Sequence, residues 1–504
     1  VPRVSLLGGA YSARSVIAAA QRQLNLYSEE MPQAVTQGGY KSGATESDPS
    51  PAALYPAAGL RTLLTLPTMP VRGIHTCTSG QVYAVGGSTI YAISPAWVAT
   101  ALGTITDSLT TPVGMADNGL QLVVVDGTTG GWTITLAGNA YAAISDPTGT
   151  FVGADKVDYL DTFFLFNSPG TPQFYMSDSE AVTFTALNFA GLSSVSDLLV
   201  TLIVAKREVW LLGTKSAEIW YDYGNDGSGT VTTGGASTSS FPFQRVPGVF
   251  VDRGIGAKYS LASTDNAVYW LQQDRYGQGI ILEGGGYQAT RISTYAIEYE
   301  LSTYPLISDA IGFCYSLAGH AYYVLSFPAA DKTWCYDITT KLWHELCWID
   351  AFGVEHRHRA MCATFANGLV VCGDWSNGNI YCLDPNVYTD FGGPIKRLRG
   401  FPHLLNNGSR AFYRQFLADF DAGTAPGLTT DPDADDIYLD WSDDRGHSFG
   451  NPVPVSMGAL GAYNTSLQWR RLGYARDRCF RLTWSTPNNV ALQGAWIDVT
   501  PSQS

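Results

Sequence analysis

His356 and His358 alternate with Arg357 and Arg359 just after Glu355. On a strand, residues two apart share a face, so the two imidazoles have the spacing of a metal pair. The flanking arginines would repel a cation, and the stretch reads instead as an exposed connection between strands. Asp431, Asp433, Asp435 and Asp436 have the alternation of a calcium loop, without the glycine at the sharp turn or the closing glutamate. A solvated acidic loop is expected there. Ser442-Asp443-Asp444-Arg445-Gly446-His447-Ser448-Phe449 matches the S-x-D-x-G-x-[ST]-[WF] pattern of an Asp-box hairpin, in which Gly446 takes a positive φ. Such boxes are turns, not catalytic groups. The chain has no Walker loop, nucleophile elbow or HExxH, and Gly254-x-Gly256 lacks a third glycine. No catalytic residue, metal site or cofactor is assigned.

Arginine is dense in two places. One is Lys396-Arg397-x-Arg399, with Arg410 and Arg414 further on. The other is Arg470-Arg471, followed by Arg476, Arg478 and Arg481. Both lie in an otherwise acidic chain of net charge −14. Arginine's planar fork grips carboxylates bidentately, so these strands are candidates for docking an acidic partner. The net charge argues against gripping DNA phosphates or an anionic membrane, though not against DNA sliding past.

These residues must be positioned by a repeated element. An apolar stretch, a Gly/Asn/Asp turn and a second stretch holding Tyr or Trp recur seven times. Clear copies are 80–94, 206–222, 319–337 and 367–383, with fainter ones starting near Asn118, Leu160 and Asn266. Successive starts are 38, 42, 46, 60, 53 and 48 residues apart. A hairpin that cannot bury its face alone must stack on its neighbours, which is the signature of a β-propeller. The expected fold is all-β: an irregular propeller of six or seven blades over 60–385, an N-terminal arm and linker over 1–59, and a C-terminal β-sandwich-like domain over 386–504. In the arm, Ala-rich Ser12–Gln23 reads as a helix, Leu24–Tyr27 as extended, and 37–58 as a linker or docked loop. The sandwich is expected from strand-like runs at 412–420, 437–442, 467–472, 479–485 and 491–499, and 225–240 reads as a polar loop.

The 504 residues include 53 glycines and 12% aromatics, as an all-β chain with many tight turns requires. Eight cysteines form no CxxC pair, and six of them fall in strand-like segments. Buried reduced thiols are expected, as in a reducing compartment. No secretory signal is visible, and the longest strongly apolar run, Leu198–Ala205, is far short of a bilayer span, so no membrane insertion is expected.

Several short phrases, in order along the chain, resemble the packaged-DNA stabilisation proteins, the tail hub or nozzle proteins of short-tailed bacteriophages. They are Tyr11–Ser15, Ala20–Arg22, Leu24–Glu29, Gly59–Thr62, Pro70–Ile74, Val82–Tyr91, Gly213–Tyr221, Gly254–Ala257 and Trp469–Gly473 with Arg476. The resemblance implies a non-enzymatic virion tail component assembled in the host bacterial cytoplasm. It further implies a hexameric ring below the portal and its adaptor, which retains packaged DNA and carries the tail needle and tailspikes or fibres. Double-stranded DNA would pass through the channel without sequence-specific binding. Arg14, Arg22, Asn25, Tyr27, Arg397, Arg399, Arg470, Arg471 and Arg476 are the candidate subunit and adaptor contacts. A second reading, a carbohydrate-binding or sialidase-like propeller tail protein, rests on the Asp box, which occurs once and without an evident acidic pair. A third, a partner-binding propeller of kelch or WD type, is opposed by the uneven repeat spacing.

Overall fold

A computed structural model of the chain describes residues 3–4, 21–30, 52–106, 110–224, 231–233, 236–238, 241–264, 266–274, 276–405, 408–421, 436–458, 461 and 466–501. Seven four-stranded antiparallel blades follow one another along the chain. Blade 1 comprises Val71–Thr76, Val82–Gly86, Thr89–Ile93 and Ala99–Thr104; blade 2, Gly114–Asp117, Gln121–Val125, Gly131–Thr135 and Ala140–Ala143; blade 3, Val157–Leu160, Phe163–Asn167, Gln173–Met176 and Phe189–Gly191. Blade 4 is Leu199–Ala205, Glu208–Gly213, Ala217–Asp222 and Phe243–Arg245; blade 5 is Ala262–Ser263, Val268–Gln273, Gly279–Gly285 and Gln288–Arg291. Blade 6 is Ile311–Leu317, His320–Phe327, Lys332–Asp337 and Leu342–Ile349. Blade 7 takes three strands from Ala360–Ala366, Leu369–Asp374 and Asn379–Asp384, and its fourth from Gly59–Thr65, far earlier in the chain. The first strand of each blade touches those of its two neighbours, and the circle closes where Ala360–Ala366 meets Val71–Thr76.

Apolar side chains pack between adjacent blades rather than within one. Tyr83, Val85 and Ile90 of blade 1, for instance, pack on Leu122, Val124 and Ile134 of blade 2. Equivalent clusters join every neighbouring pair around the ring. This burial makes the repeats mutually dependent. The seven sequence phrases are the second and third strands of the seven blades, each with its entering turn.

The turns keep one geometry with and without glycine. Ala366↔Leu369 is joined by Asn367-Gly368, with φ values of 51° and 77°. That is the positive-φ pair a two-residue hairpin favours. Leu160↔Phe163 makes the same connection with Asp161-Thr162 (φ 44° and 81°), and Ala205↔Glu208 with Lys206-Arg207 (53° and 61°). The left-handed turn is kept where the glycine is not.

The C-terminal residues form a two-sheet sandwich. One sheet orders Leu26–Glu30, Ala52–Pro56, Leu492–Pro501, Ala411–Phe420 and Ser466–Ala475, and Arg3–Val4 also pairs with Leu492–Pro501. The other orders Gln23–Leu24, Arg397–Gly400, Asp477–Trp484, Asp436–Ser442 and Val453–Ser456. Phe416 of the first sheet and Phe480 of the second meet at 5.1 Å in a core that also takes in Leu26 and Leu54. All five strand-like runs foreseen after residue 411 are strands. The described part of 37–58 differs from the linker expected there. Ala52–Pro56 is a sandwich strand because Leu54 is fully buried in that core, a role its Ala- and Pro-rich surroundings conceal. Of the helix expected over 12–23, residues 12–20 lie outside the described residues, and Gln23 is extended. Within 225–240 a short hairpin pairs Val231–Thr233 with Ala236–Thr238.

Gln23–Leu24 has a second role. It pairs in parallel with Leu342–Ile349, the outer strand of blade 6, and antiparallel with Arg397–Gly400. One hydrogen-bonded sheet therefore runs from blade 6 into the sandwich. Asn25, at φ 52°, fixes the seam: its amide donates to the carbonyls of Cys347 (3.0 Å) and Lys396 (2.8 Å) and accepts from the Cys347 N–H (2.9 Å).

Candidate docking surface

The sandwich strands Ala411–Phe420 and Ser466–Ala475 alternate inward and outward until a bulge. Tyr413 pairs with Gly473 and Gln415 with Arg470, leaving Arg471 and Leu472 opposite Arg414. Arg471 sits at φ 62°, an unusual conformation for a side chain of its size. The irregularity switches the parity of the first strand: Ala411 and Tyr413 face the core before it, Phe416, Ala418 and Phe420 after it. On the outside it gathers exposed Arg414, Arg470 and Arg471, with exposed Arg410 and Arg476 near the end of the same strand pair. Phe412 is 45% exposed and Tyr474 61%, and the Arg410 guanidinium lies 5.1 Å from the Tyr474 ring centre. Arg470 donates to Gln468, and Arg414, Arg470, Arg471 and Arg476 form no ion pair among the described residues. Arginines and aromatics in one exposed patch with unused guanidinium donors suit a protein partner bearing carboxylates.

The other residues expected at contacts lie elsewhere. Arg397 and Arg399 are fully buried, which takes both off the surface of this chain. Their strand lies between Gln23–Leu24 and Asp477–Trp484, so they point into the junction. Arg397 donates to the carbonyls of Thr486 (2.7 Å) and Tyr388 (3.3 Å), and Arg399 to the Gln23 side chain (3.1 Å). Burial pushes the neighbouring Asp390 carboxyl up to about 7 despite the pull of Arg397. Arg22 pairs with Glu345 (2.6 Å) and Glu355 (2.8 Å), and Lys396 with Glu355 (2.7 Å). Burial alone would raise Glu355, but Arg22 and Lys396 hold it down at about 2. Asn25 is buried in the seam and Tyr27 is half-buried beside Tyr55; Arg14 lies outside the described residues. Within the second arginine run, Arg478 turns inward to a bidentate pair with Asp443, and Arg481 pairs with Asp440.

The groups that looked chemical are used structurally. His356 pairs with Asp331 (2.7 Å) and Asp350 (3.6 Å), while buried His358 accepts from the Ala360 N–H. Burial lowers His358 to about 4, so it stays neutral. Arg357 and Arg359 stack on Trp375 and Trp348. In the Asp box, Asp444 accepts from the hydroxyls of Ser442 (2.6 Å) and Ser448 (2.5 Å), and Gly446 N–H donates to Ser442 Oγ (2.7 Å). Residues 431–435 of the acidic run lie outside the described residues. One grouping was not visible in the sequence. His75, Cys77 and Asp117 place potential metal ligands within 4.8 Å of one another, and of the three only His75 lines a cavity of about 230 Å³. Asp117 is already engaged there by His75 Nε2 (2.8 Å) and by the N–H groups of Thr78 and Gly119, and burial raises the Cys77 thiol, which disfavours the thiolate a metal needs.

A family model described as the β-propeller of bacteriophage P22 Gp10 matches residues 43–388, and one described as the β-sandwich of the same protein matches residues 397–500. The chain belongs to the bacteriophage P22 Gp10 family. As in that family, a propeller is followed by a sandwich, and the family makes the chain a structural protein of a phage tail, located in the virion and assembled with other virion proteins. Among solved structures, the chain is similar to the WD40 β-propeller domain of Doa1, at 12% identity and TM-score 0.39 over 64% of this chain and 96% of that one. It is also similar to virginiamycin B lyase from Staphylococcus aureus, at 11% identity and TM-score 0.42 over 64% and 98%, and to the computationally designed Ika8 protein, at 11% and 0.38 over 64% and 99%. No curated protein matched. Among the described residues of this Gp10 relative, no helix is long and apolar enough to cross a membrane. The aromatic members of the exposed patch, Phe412 and Tyr474, were not singled out in the sequence.

Proposed function

We propose that the chain is a non-enzymatic nozzle subunit. About six copies form a ring that extends the portal–adaptor channel, retains packaged DNA and carries the tail needle and tailspikes or fibres. The observation that carries this reading beyond family membership is the exposed arginine–aromatic face on the bulged sandwich strands. A closed ring of rotated copies needs a patch that meets a different patch on its neighbour. Guanidinium forks with no acid among the described residues would find carboxylates on a partner as acidic as this chain. The same acidity lets DNA slide through the conduit rather than adhere to it. Because the sandwich continues the sheet of blade 6, a load on the docked sandwich passes into the propeller through hydrogen bonds, not through a slack linker.

The test is the mass of the purified protein in solution, alone and mixed with the portal–adaptor complex of its phage. Stoichiometric capture with about six copies is expected, weakening as salt rises. A persistent monomer that ignores the complex would overturn the reading.

A further inference from the structure

A second cavity, of about 260 Å³, opens where the N-terminal hairpin, blade 6 and the chain leaving blade 7 meet. Its wall includes five tyrosines: Tyr27, Tyr55, Tyr315, Tyr322 and Tyr388. Tyr27 stacks on Tyr55 at 5.8 Å, Tyr315 lies 5.0 Å from Tyr322, and Tyr27 meets Tyr322 edge-on at 6.3 Å. Among the described residues no Lys, Arg, Asp or Glu lines the cavity, and burial lowers the histidine in its wall, His344, to about 4. Among the described residues none of the five phenol hydroxyls makes a hydrogen bond, and Asn386 and Asn489 add side-chain amides at the rim. Elsewhere in the molecule buried tyrosines do find partners, as Tyr175 does with the Gly153 carbonyl and Tyr323 with that of Ser260.

We infer that this tyrosine cavity binds an uncharged, proline-containing extended segment of another virion protein. The inference rests on the assembly reading above for the existence of such a partner. A polyproline II segment exposes carbonyls that form no internal bonds, and each proline lacks an N–H. It therefore presents ring faces and acceptors together. The cavity presents the complement: aromatic walls, with O–H and amide N–H donors, and no charge to be buried unpaired. Aromatic-lined grooves recognise proline-rich segments on this principle. A sugar would offer many hydroxyl donors as well as acceptors, and the wall has no carboxylate to receive them.

The probe is a fluorescein-labelled decaproline peptide titrated into the whole chain and followed by anisotropy, with maltoheptaose as the sugar arm. Saturable one-to-one binding of decaproline is expected, with no competition from maltoheptaose. Tyr315→Phe and Tyr322→Phe keep the rings and remove one donor each, and each is expected to weaken binding about 3–10-fold. Unchanged melting of both variants separates a lost contact from a lost fold. No decaproline binding, binding indifferent to both variants, or displacement by maltoheptaose would each overturn the inference. The assembly reading fails separately: a chain that binds decaproline yet is not captured by the portal–adaptor complex sinks that reading alone, and the reverse result sinks only this one.

Discussion

In the propeller Arg72 and Arg359 point into the body. Arg72 donates to the carbonyls of Thr111 and Gly87, and Arg359 pairs with Asp374 over the Trp348 ring. In the sandwich Arg414, Arg470, Arg471 and Arg476 point out, with no described acid to meet them. The two regions share a strand architecture but use these cations in opposite ways. The contrast holds for these residues rather than for every cation, since the sandwich also turns Arg478 and Arg481 to Asp443 and Asp440. In the ring these buried guanidiniums are met by groups of their own blade or of the connection that follows it. The sandwich has a broad outer sheet face, and its bulge turns that face into a cluster of donors. The exposed patch lies on the sandwich, and the seam at residues 22–25 ties that sandwich to blade 6 by hydrogen bonds.

The sharpest way to break this pairing is at the seam. Asn25→Ala removes three hydrogen bonds and leaves the Cys347 N–H without its acceptor. A loss of about 3 kcal/mol is expected, with one unfolding transition splitting into two when urea denaturation is followed by tryptophan fluorescence. The seam also titrates. The Glu355 carboxyl lies below its unfolded value, so its contribution is complete above about 4.5 and is lost as pH falls toward about 2. The stability gap between the wild type and Glu355→Gln, of order 1–3 kcal/mol at pH 7, should close by pH 2. Within the ring, Thr162→Gly should raise the midpoint of urea unfolding by the equivalent of about 1 kcal/mol, because a β-branched residue at φ 81° is strained where glycine is not. The smallest effect on folding is expected from Arg414, Arg470, Arg471 and Arg476 changed together to Ala. Stability should move by less than about 0.5 kcal/mol per site while capture by the portal–adaptor complex is lost. If melting collapses instead, the outer face is structural and the contrast between the regions is false.

Much of the ring was legible because its repeat is written in turn residues and apolar strand pairs. Asn367-Gly368 announces its hairpin; Lys206-Arg207 makes the same turn without the glycine that would mark it. The sandwich was legible where strands alternate over six residues or more. The short strand at 23–24 was not, since its partners lie hundreds of residues away, and 52–56, which pairs chiefly with Leu26–Glu30, is hidden by its Ala- and Pro-rich composition. Of the residues expected at subunit or adaptor contacts, Arg470, Arg471 and Arg476 lie exposed on the sandwich, and Arg397 and Arg399 are buried. Composition cannot tell the side of a strand; only the register set by Gln23–Leu24 and Asp477–Trp484 does so.

The last blade cannot be finished until residues 379–384 have been made. Gly59–Thr65 waits for Asn379–Asp384, and the Arg61–Asp384 pair across that closure spans 323 positions. At roughly 5–20 residues per second, the early strand is exposed for about 15–60 s before its partner emerges. The ring thus carries a built-in delay: until the final blade is sealed, the seam to the sandwich has no finished platform and its outer face no fixed orientation. In the ring assembly proposed above, a copy would be fit to join its neighbours only once its last blade is closed.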